Sequence, residues 1–210
     1  MQKLAGVLTV TILMALLGCS QSSTPGSSGT GPSKSAQSSG AATAPPAGGP
    51  GAITPENTKI EWVGTKKDGK HDGGFKSFTG GITPAKADLT SCELSLDIDI
   101  NSLFADNPKL TSHLKSPDFF GVKQYPKAKF LSTKIEAMPS EPESYIINGK
   151  LTLHGTTKEI SIPAKVTKKD NVLTLESQFT FDRLEYGISY KPDQVDKMVT
   201  VKVSANIPLL

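Results

Sequence analysis

The stretch Cys92-Glu93-Leu94-Ser95-Leu96-Asp97-Ile98-Asp99-Ile100 alternates apolar and polar residues without a fault. Successive side chains of a β-strand point to opposite faces, so this segment predicts a strand with one dry face and one wet face. Buried parallel strands read instead as continuous apolar runs, so the one-sided alternation also predicts antiparallel pairing.

The same pattern returns on both sides of this stretch. Val199, Val201, Val203, Ala205 and Ile207 alternate with Thr200, Lys202, Ser204 and Asn206. Ile160, Ile162, Ala164 and Val166 share one face, with Glu159, Ser161 and Lys165 on the other. Leu173, Leu175, Phe179 and Phe181 form a further set, as do Tyr145, Ile147, Leu151 and Leu153. Weaker runs cover residues 59–65, 74–83 and 129–137. Together they predict about eight strands, with turns at Lys67-Asp68-Gly69, His154-Gly155 and Lys169-Asp170-Asn171. The one helical candidate spans residues 110–121, where Ser116-Pro117-Asp118 offers a cap followed by proline at a first helical position. Eight antiparallel strands fit either a sandwich or a closed barrel, whose interior holds side chains or one small ligand. Periodicity alone does not choose between them.

The N-terminus has a different character. Lys3 is followed by a largely apolar run from Leu4 to Leu17. A membrane-spanning helix needs roughly 20 apolar residues, so this run reads as a secretory signal. Leu16-Leu17-Gly18-Cys19 resembles the bacterial lipobox. That resemblance implies a lipoprotein signal peptide over residues 1–18 and a lipid anchor on Cys19 that ties the chain to a membrane. Ser20, by resemblance to Gram-negative sorting, favours the outer over the cytoplasmic membrane. The expected location is therefore the cell envelope, with the folded part in the periplasm or otherwise outside the cytoplasm. Residues 20–53 are almost entirely Ser, Gly, Pro, Ala, Thr and Gln, with Lys34 the only charge. Such a composition predicts a disordered tether over residues 19–53, with a typical reach of roughly 30 Å.

Residues 54–210 are then one domain. They carry all 20 acidic residues and, since Lys3 and Lys34 precede them, 21 of the 23 basic ones, a net charge of +1. That balance, without any basic stripe, excludes an electrostatic nucleic-acid binder. With Cys19 acylated, Cys92 has no disulfide partner and reads as a small buried hydrophobe. His71, His113 and His154 are far apart and lack a close-spaced ligand pair, so no metal is expected. No serine elbow, paired-carboxylate or phosphate-loop pattern appears, so neither catalysis nor a nucleotide cofactor is expected.

Three motifs add to this. His113-Leu114-Lys115-Ser116-Pro117-Asp118-Phe119-Phe120 continues to Tyr125-Pro126-Lys127-Ala128-Lys129-Phe130-Leu131-Ser132. Further along come Gly149-Lys150-Leu151-Thr152-Leu153-His154-Gly155-Thr156-Thr157-Lys158 and Arg183-Leu184-Glu185-Tyr186-Gly187-Ile188. In order and spacing these resemble the YceI-like family of polyisoprenoid-binding proteins. Leu110-Thr111 departs from the family's form, which carries Arg-Asp there.

The resemblance implies an eight-stranded antiparallel lipocalin-like barrel with a short helical insertion. It implies non-enzymatic binding of a long-chain isoprenoid, quinone-like or fatty amphiphile, for transport, storage or sequestration. An apolar tail needs only a dry wall, because burial at about 25 cal/mol per Å² drives its binding. The candidate wall is Trp62, Phe75, Leu94, Leu96, Ile98, Phe130, Leu151, Leu153, Phe179 and Phe181, with Phe119 and Phe120 as a lid. His113 and Tyr186 join it from the motifs. Arg183, the chain's one arginine, is suited either to a polar head or to an ion pair with Glu185 or another strand-end carboxylate. The alternative is a structural or stress-related envelope lipoprotein with a filled barrel that binds a protein partner. Monomer and homodimer both remain open.

Overall fold

The computed structural model describes residues 48–85 and 88–209; the signal segment, Cys19 and most of the expected tether lie outside them. Its strands are β1 (Ala52–Ile53), β2 (Thr58–Lys66), β3 (Gly69–Phe75), β4 (Phe78–Thr83), β5 (Glu93–Asp99) and β6 (Leu103–Ala105). After helix α1 (Pro108–Lys115) come β7 (Lys127–Ala137), β8 (Ser144–Leu153), β9 (Thr156–Lys169), β10 (Val172–Asp182) and β11 (Val195–Pro208). Hydrogen bonding runs in the order β1-β4-β5-β7-β8-β9-β10-β11-β2-β3-β6. Every neighbouring pair is antiparallel, as the alternation predicted.

The expected closed barrel of eight strands is corrected: the structure is one curled sheet of eleven strands, a half-barrel. The extra strands have local causes. β1 falls inside the segment read as tether, where Ala52 and Ile53 are buried. The run read as one strand over residues 74–83 breaks at Lys76-Ser77 into the end of β3 and β4. Beyond β5, a 3-10 turn over Ile100–Ser102, capped by the Asp99 carboxylate accepting from Asn101 N at 2.9 Å, redirects the chain into β6.

The break at Lys76-Ser77 also shows how far the sheet curls. β3 and β4 lie next to opposite margins of the sheet, yet only these two residues separate them. Three trans peptide steps span at most about 11 Å, so the two margins must face each other. Ser102 holds the kink, its Oγ accepting from Lys76 N at 3.2 Å and Ser77 N at 3.0 Å.

The helix differs from its prediction. It starts at Asn107-Pro108, where the Asn107 side chain accepts from Lys109 N at 2.8 Å and proline occupies the first turn. Ser116, read as a cap at the start of a turn, is instead the residue that ends the helix, its N–H reaching His113 O at 3.0 Å.

Two apolar clusters fill the ends of the half-barrel. One contains Ile60, Ile82, Leu89, Leu173 and Ile207, with Cys92 a buried free thiol at its margin. The other gathers Ile100, Leu103, Leu114, Phe119, Tyr186 and Ile188 under α1 and the motif turn at residues 183–186.

Candidate functional site

Along the middle of the curled sheet, inward side chains pack against the core on one side and border open space on the other. A cavity of about 430 Å³ lies there. Leu94, Leu96 and Ile98 of β5 point inward on the alternation that opened the sequence reading, yet are only half-buried because they line open space. Trp62 of β2, Phe75 of β3 and Phe130 of β7 continue the wall. Leu151 and Leu153 of β8 and Phe179 and Phe181 of β10 complete it among the residues expected there.

Close approach at two glycines shapes this wall. A Cβ on Gly73 would sit 2.6 Å from a Trp62 ring carbon and 2.0 Å from Phe104 O. A Cβ on Gly149 would sit 2.5 Å from the Phe130 ring. Both aromatic rings therefore lie over bare backbone, which a side chain at either glycine would displace. Trp62 Nε1 is buried with no hydrogen-bond partner among the described residues.

Over one end of the cavity lies an aromatic roof. His113 of α1 stands edge-on to Phe119 at 5.1 Å and to Tyr190 at 4.7 Å, and Phe119 meets Tyr190 at 4.7 Å. His113, Phe119 and Phe120 all line the cavity, on the insertion read as a lid. The exposed lining residues Thr65, Lys66, Lys191, Gln194 and Asp196 mark its mouth, between the β2–β3 hairpin and the segment leading into β11. There the pairing of β2 with β11 slips between Val195 and Val199, which loosens the wall.

Arg183 also touches the cavity, but its guanidinium is engaged elsewhere. Nε donates to Asp196 O at 3.0 Å, Nη1 to Ile188 O at 2.6 Å and Nη2 to Val195 O at 2.7 Å. It is 3 % exposed and makes no ion pair with Glu185, which lies 3.8 Å from Lys158 instead. Burial lowers the Arg183 pKa, against the opposing pull of Asp182 and Asp196. Its position makes it a strut for the loop at the mouth. Tyr186 is the one expected site residue outside the lining: it is 2 % exposed and packs edge-on against Phe181 at 5.6 Å.

The histidines are dispersed. His71 Nδ1 lies 3.1 Å from the Asp106 carboxylate, and His113 Nε2 lies 3.2 Å from Asp118 Oδ2. His154 sits at the β8–β9 turn with Nδ1 at 3.0 Å from Tyr186 O. Among the described residues no group of three His, Cys, Asp or Glu side chains could hold a metal ion.

Several lining residues were not singled out from the sequence. Val199, Val201 and Val203 belong to an alternating run whose inward face was legible, so their place was available from the pattern. Tyr190 and Lys191 lie between the last motif and β11, where no periodicity operates, and only the fold brings them to the mouth.

Residues 52–207 match the family model of the YceI-like domain. A UPF0312 protein of Photorhabdus laumondii is 35% identical over 94 residues, covering 45% of this chain and 47% of that protein. A UPF0312 protein of Pseudomonas putida is 36% identical over 92 residues, covering 44% and 47%. The chain spans about half the length of the curated relatives it matches. Among solved structures, BcnA of Burkholderia cenocepacia superposes with a TM-score of 0.65 at 22% identity, over 70% of this chain and 94% of that one. A polyisoprenoid binding domain from Saccharophagus degradans, implicated in plant cell wall breakdown, does so with a TM-score of 0.61 at 14% identity, over 76% and 98%. These likenesses show a shared fold.

Proposed function

This chain belongs to the YceI-like domain family, and on that premise we propose that it is a non-enzymatic carrier or store for a long-chain isoprenoid or similar amphiphilic lipid in the cell envelope. The observation that carries the reading is the cavity of about 430 Å³ walled by Trp62, Leu94, Leu96, Ile98, Phe130 and Phe179. A cavity of this size falls in the range that binds small molecules, and its wall asks of a ligand only that it be apolar. The alternative of a filled interior would require these side chains to meet at the axis. The Saccharophagus degradans domain of the same fold, described as polyisoprenoid-binding, is consistent with such a ligand.

Catalysis finds little support in the site. The His113–Asp118 pair resembles a base with its orienter, but the neighbouring hydroxyls of Ser112 and Ser116 donate to the carbonyls of Pro108 and His113. The His113 ring packs between Phe119 and Tyr190. Membrane attachment through Cys19 forms part of the proposal: a lipid-anchored domain would exchange its cargo within reach of the membrane that supplies it.

Trp62 is the chain's one tryptophan and lines the cavity, so its emission reports occupancy directly. Native mass spectrometry of the protein purified from its own envelope without detergent is the test. A stoichiometric adduct released by organic solvent, with a shift in Trp62 emission on its removal, is expected. A clean apo mass and an emission unmoved by added polyprenyl lipids or quinones would sink the carrier reading.

A further inference from the structure

The mouth of the cavity carries charge that an apolar tail does not need. Among the charged residues that line the cavity as a whole, Lys66, Lys129, Arg183 and Lys191 are cationic, and Asp196 is the one carboxylate. Lys129 is paired with Asp97 at 3.4 Å, and Arg183 is bound to three backbone carbonyls. Asp196 accepts from the Thr65 hydroxyl at 2.5 Å. Lys66 and Lys191 make no ion pair among the described residues.

Backbone bonds bring these two lysines to the same side of the opening. Lys66 pairs with Val195 across β2 and β11, and Lys67 N donates to Gln194 O at 3.4 Å. Val195 N in turn donates to Lys191 O at 3.0 Å, closing a single turn that ends opposite Lys66. The Lys191 ammonium stands 5.4 Å from the centre of the Tyr190 ring, which belongs to the aromatic roof. Lys191 therefore stands beside the roof, and Lys66 is the last residue of β2, at the end of the wall. On α1, Leu110 lines the cavity and the Thr111 hydroxyl accepts from Ala105 N at 2.9 Å, so that helix brings no cation to the opening from these positions.

We propose that the site takes an amphiphile with an anionic oxygen head, a phosphate monoester or a carboxylate, seated at Lys66 and Lys191 while its tail fills the cavity. This rests on the cavity reading above. A positive rim beside a low-dielectric pocket attracts such a head and leaves it hydrated, so the charge need not be buried. A neutral alcohol of the same tail gains only from the wall.

The experiment titrates the full chain with farnesyl phosphate, farnesol, palmitate and hexadecanol, each kept below its aggregation limit, and follows Trp62 emission. It is repeated on the double variant Lys66→Met/Lys191→Met. In the wild type each anion is expected to bind about tenfold more tightly than its alcohol, a factor that two partly solvated ion pairs supply. The double variant is expected to lose that factor for the anions and keep the alcohol affinities, which also shows that it is folded. A preference confined to farnesyl phosphate assigns the head as phosphate, and one confined to palmitate assigns it as carboxylate. Equal binding of anions and alcohols, or an anion preference that survives in the double variant, overturns the head site and leaves the cavity reading standing. Failure of all four ligands to move the emission or to give a mass adduct overturns the cavity reading, and this proposal with it.

Discussion

At the end of the curled sheet where Gly51 N donates to Pro208 O at 2.6 Å, inward side chains meet each other. Leu173 there is 1 % exposed. Beside the cavity, Leu96 occupies an equivalent inward position on its strand and is only half-buried. Both obey the same two-residue period. The difference lies in what faces them: Leu173 has atoms on all sides, whereas Leu96 has a wall behind it and space in front. A side chain facing a void forgoes part of its dispersion energy, so the cavity lowers what its lining contributes to stability.

That contrast is open to direct attack. Leu173→Ala should destabilise by about 2–5 kcal/mol, because it empties a closed site that cannot refill. Chemical denaturation measures this, and a cost near zero would place the floor among the adaptable parts of the molecule. At the mouth, Arg183→Met should cost about 2–3 kcal/mol, since three backbone carbonyls then lose their charged donor. Arg183→Lys should rescue little of it, because one ammonium cannot reproduce a planar fork. Leu96→Ala should cost about 1 kcal/mol or less and instead weaken or alter ligand binding. If it proved as costly as Leu173→Ala, the two regions would not differ in the way described.

The smallest effect concerns pH. Burial, then the neighbouring Glu185 charge, raises the Tyr186 pKa above its ordinary value. The folded protein thus keeps this phenol protonated where the unfolded chain releases it. The associated stability is fully present below the unfolded value of about 10 and is lost as pH rises through the folded value. Tyr186→Phe should flatten the fall in denaturant midpoint between about pH 9 and 11 relative to wild type. Parallel curves would show that Tyr186 ionises alike in both states.

Legibility followed the physics of the chain. The inward placement of Leu94, Leu96, Ile98, Leu151, Leu153, Phe179 and Phe181 was legible because period-two alternation survives in sequence whether or not the inner face is filled. The strand count was not found. The alternation slips at Lys76-Ser77, where two polar residues separate Phe75 from Phe78, but the kink there depends on Ser102 arriving from 25 residues away. The helix start was legible in Asn107-Pro108 and was missed, because Ser116-Pro117 offers the same kind of cap. Arg183 reads from the sequence as suited to a head group or to an ion pair with Glu185 or another carboxylate; its side-chain partners are backbone carbonyls of residues 188, 195 and 196, which have no signature in the sequence.

The amino-acid sequence by itself determined that the chain builds antiparallel strands with one apolar face, and which side chains that face presents. These are properties of neighbouring residues, set by the pleat of a single strand. Only the tertiary structure decided that the sheet has eleven strands and curls until its margins face each other, and that a cavity stays open inside. It also decided that Lys66 and Lys191 share the mouth. Curvature and empty volume belong to the relation between strands distant in sequence, and alternation along any one strand is silent about its partner's distance.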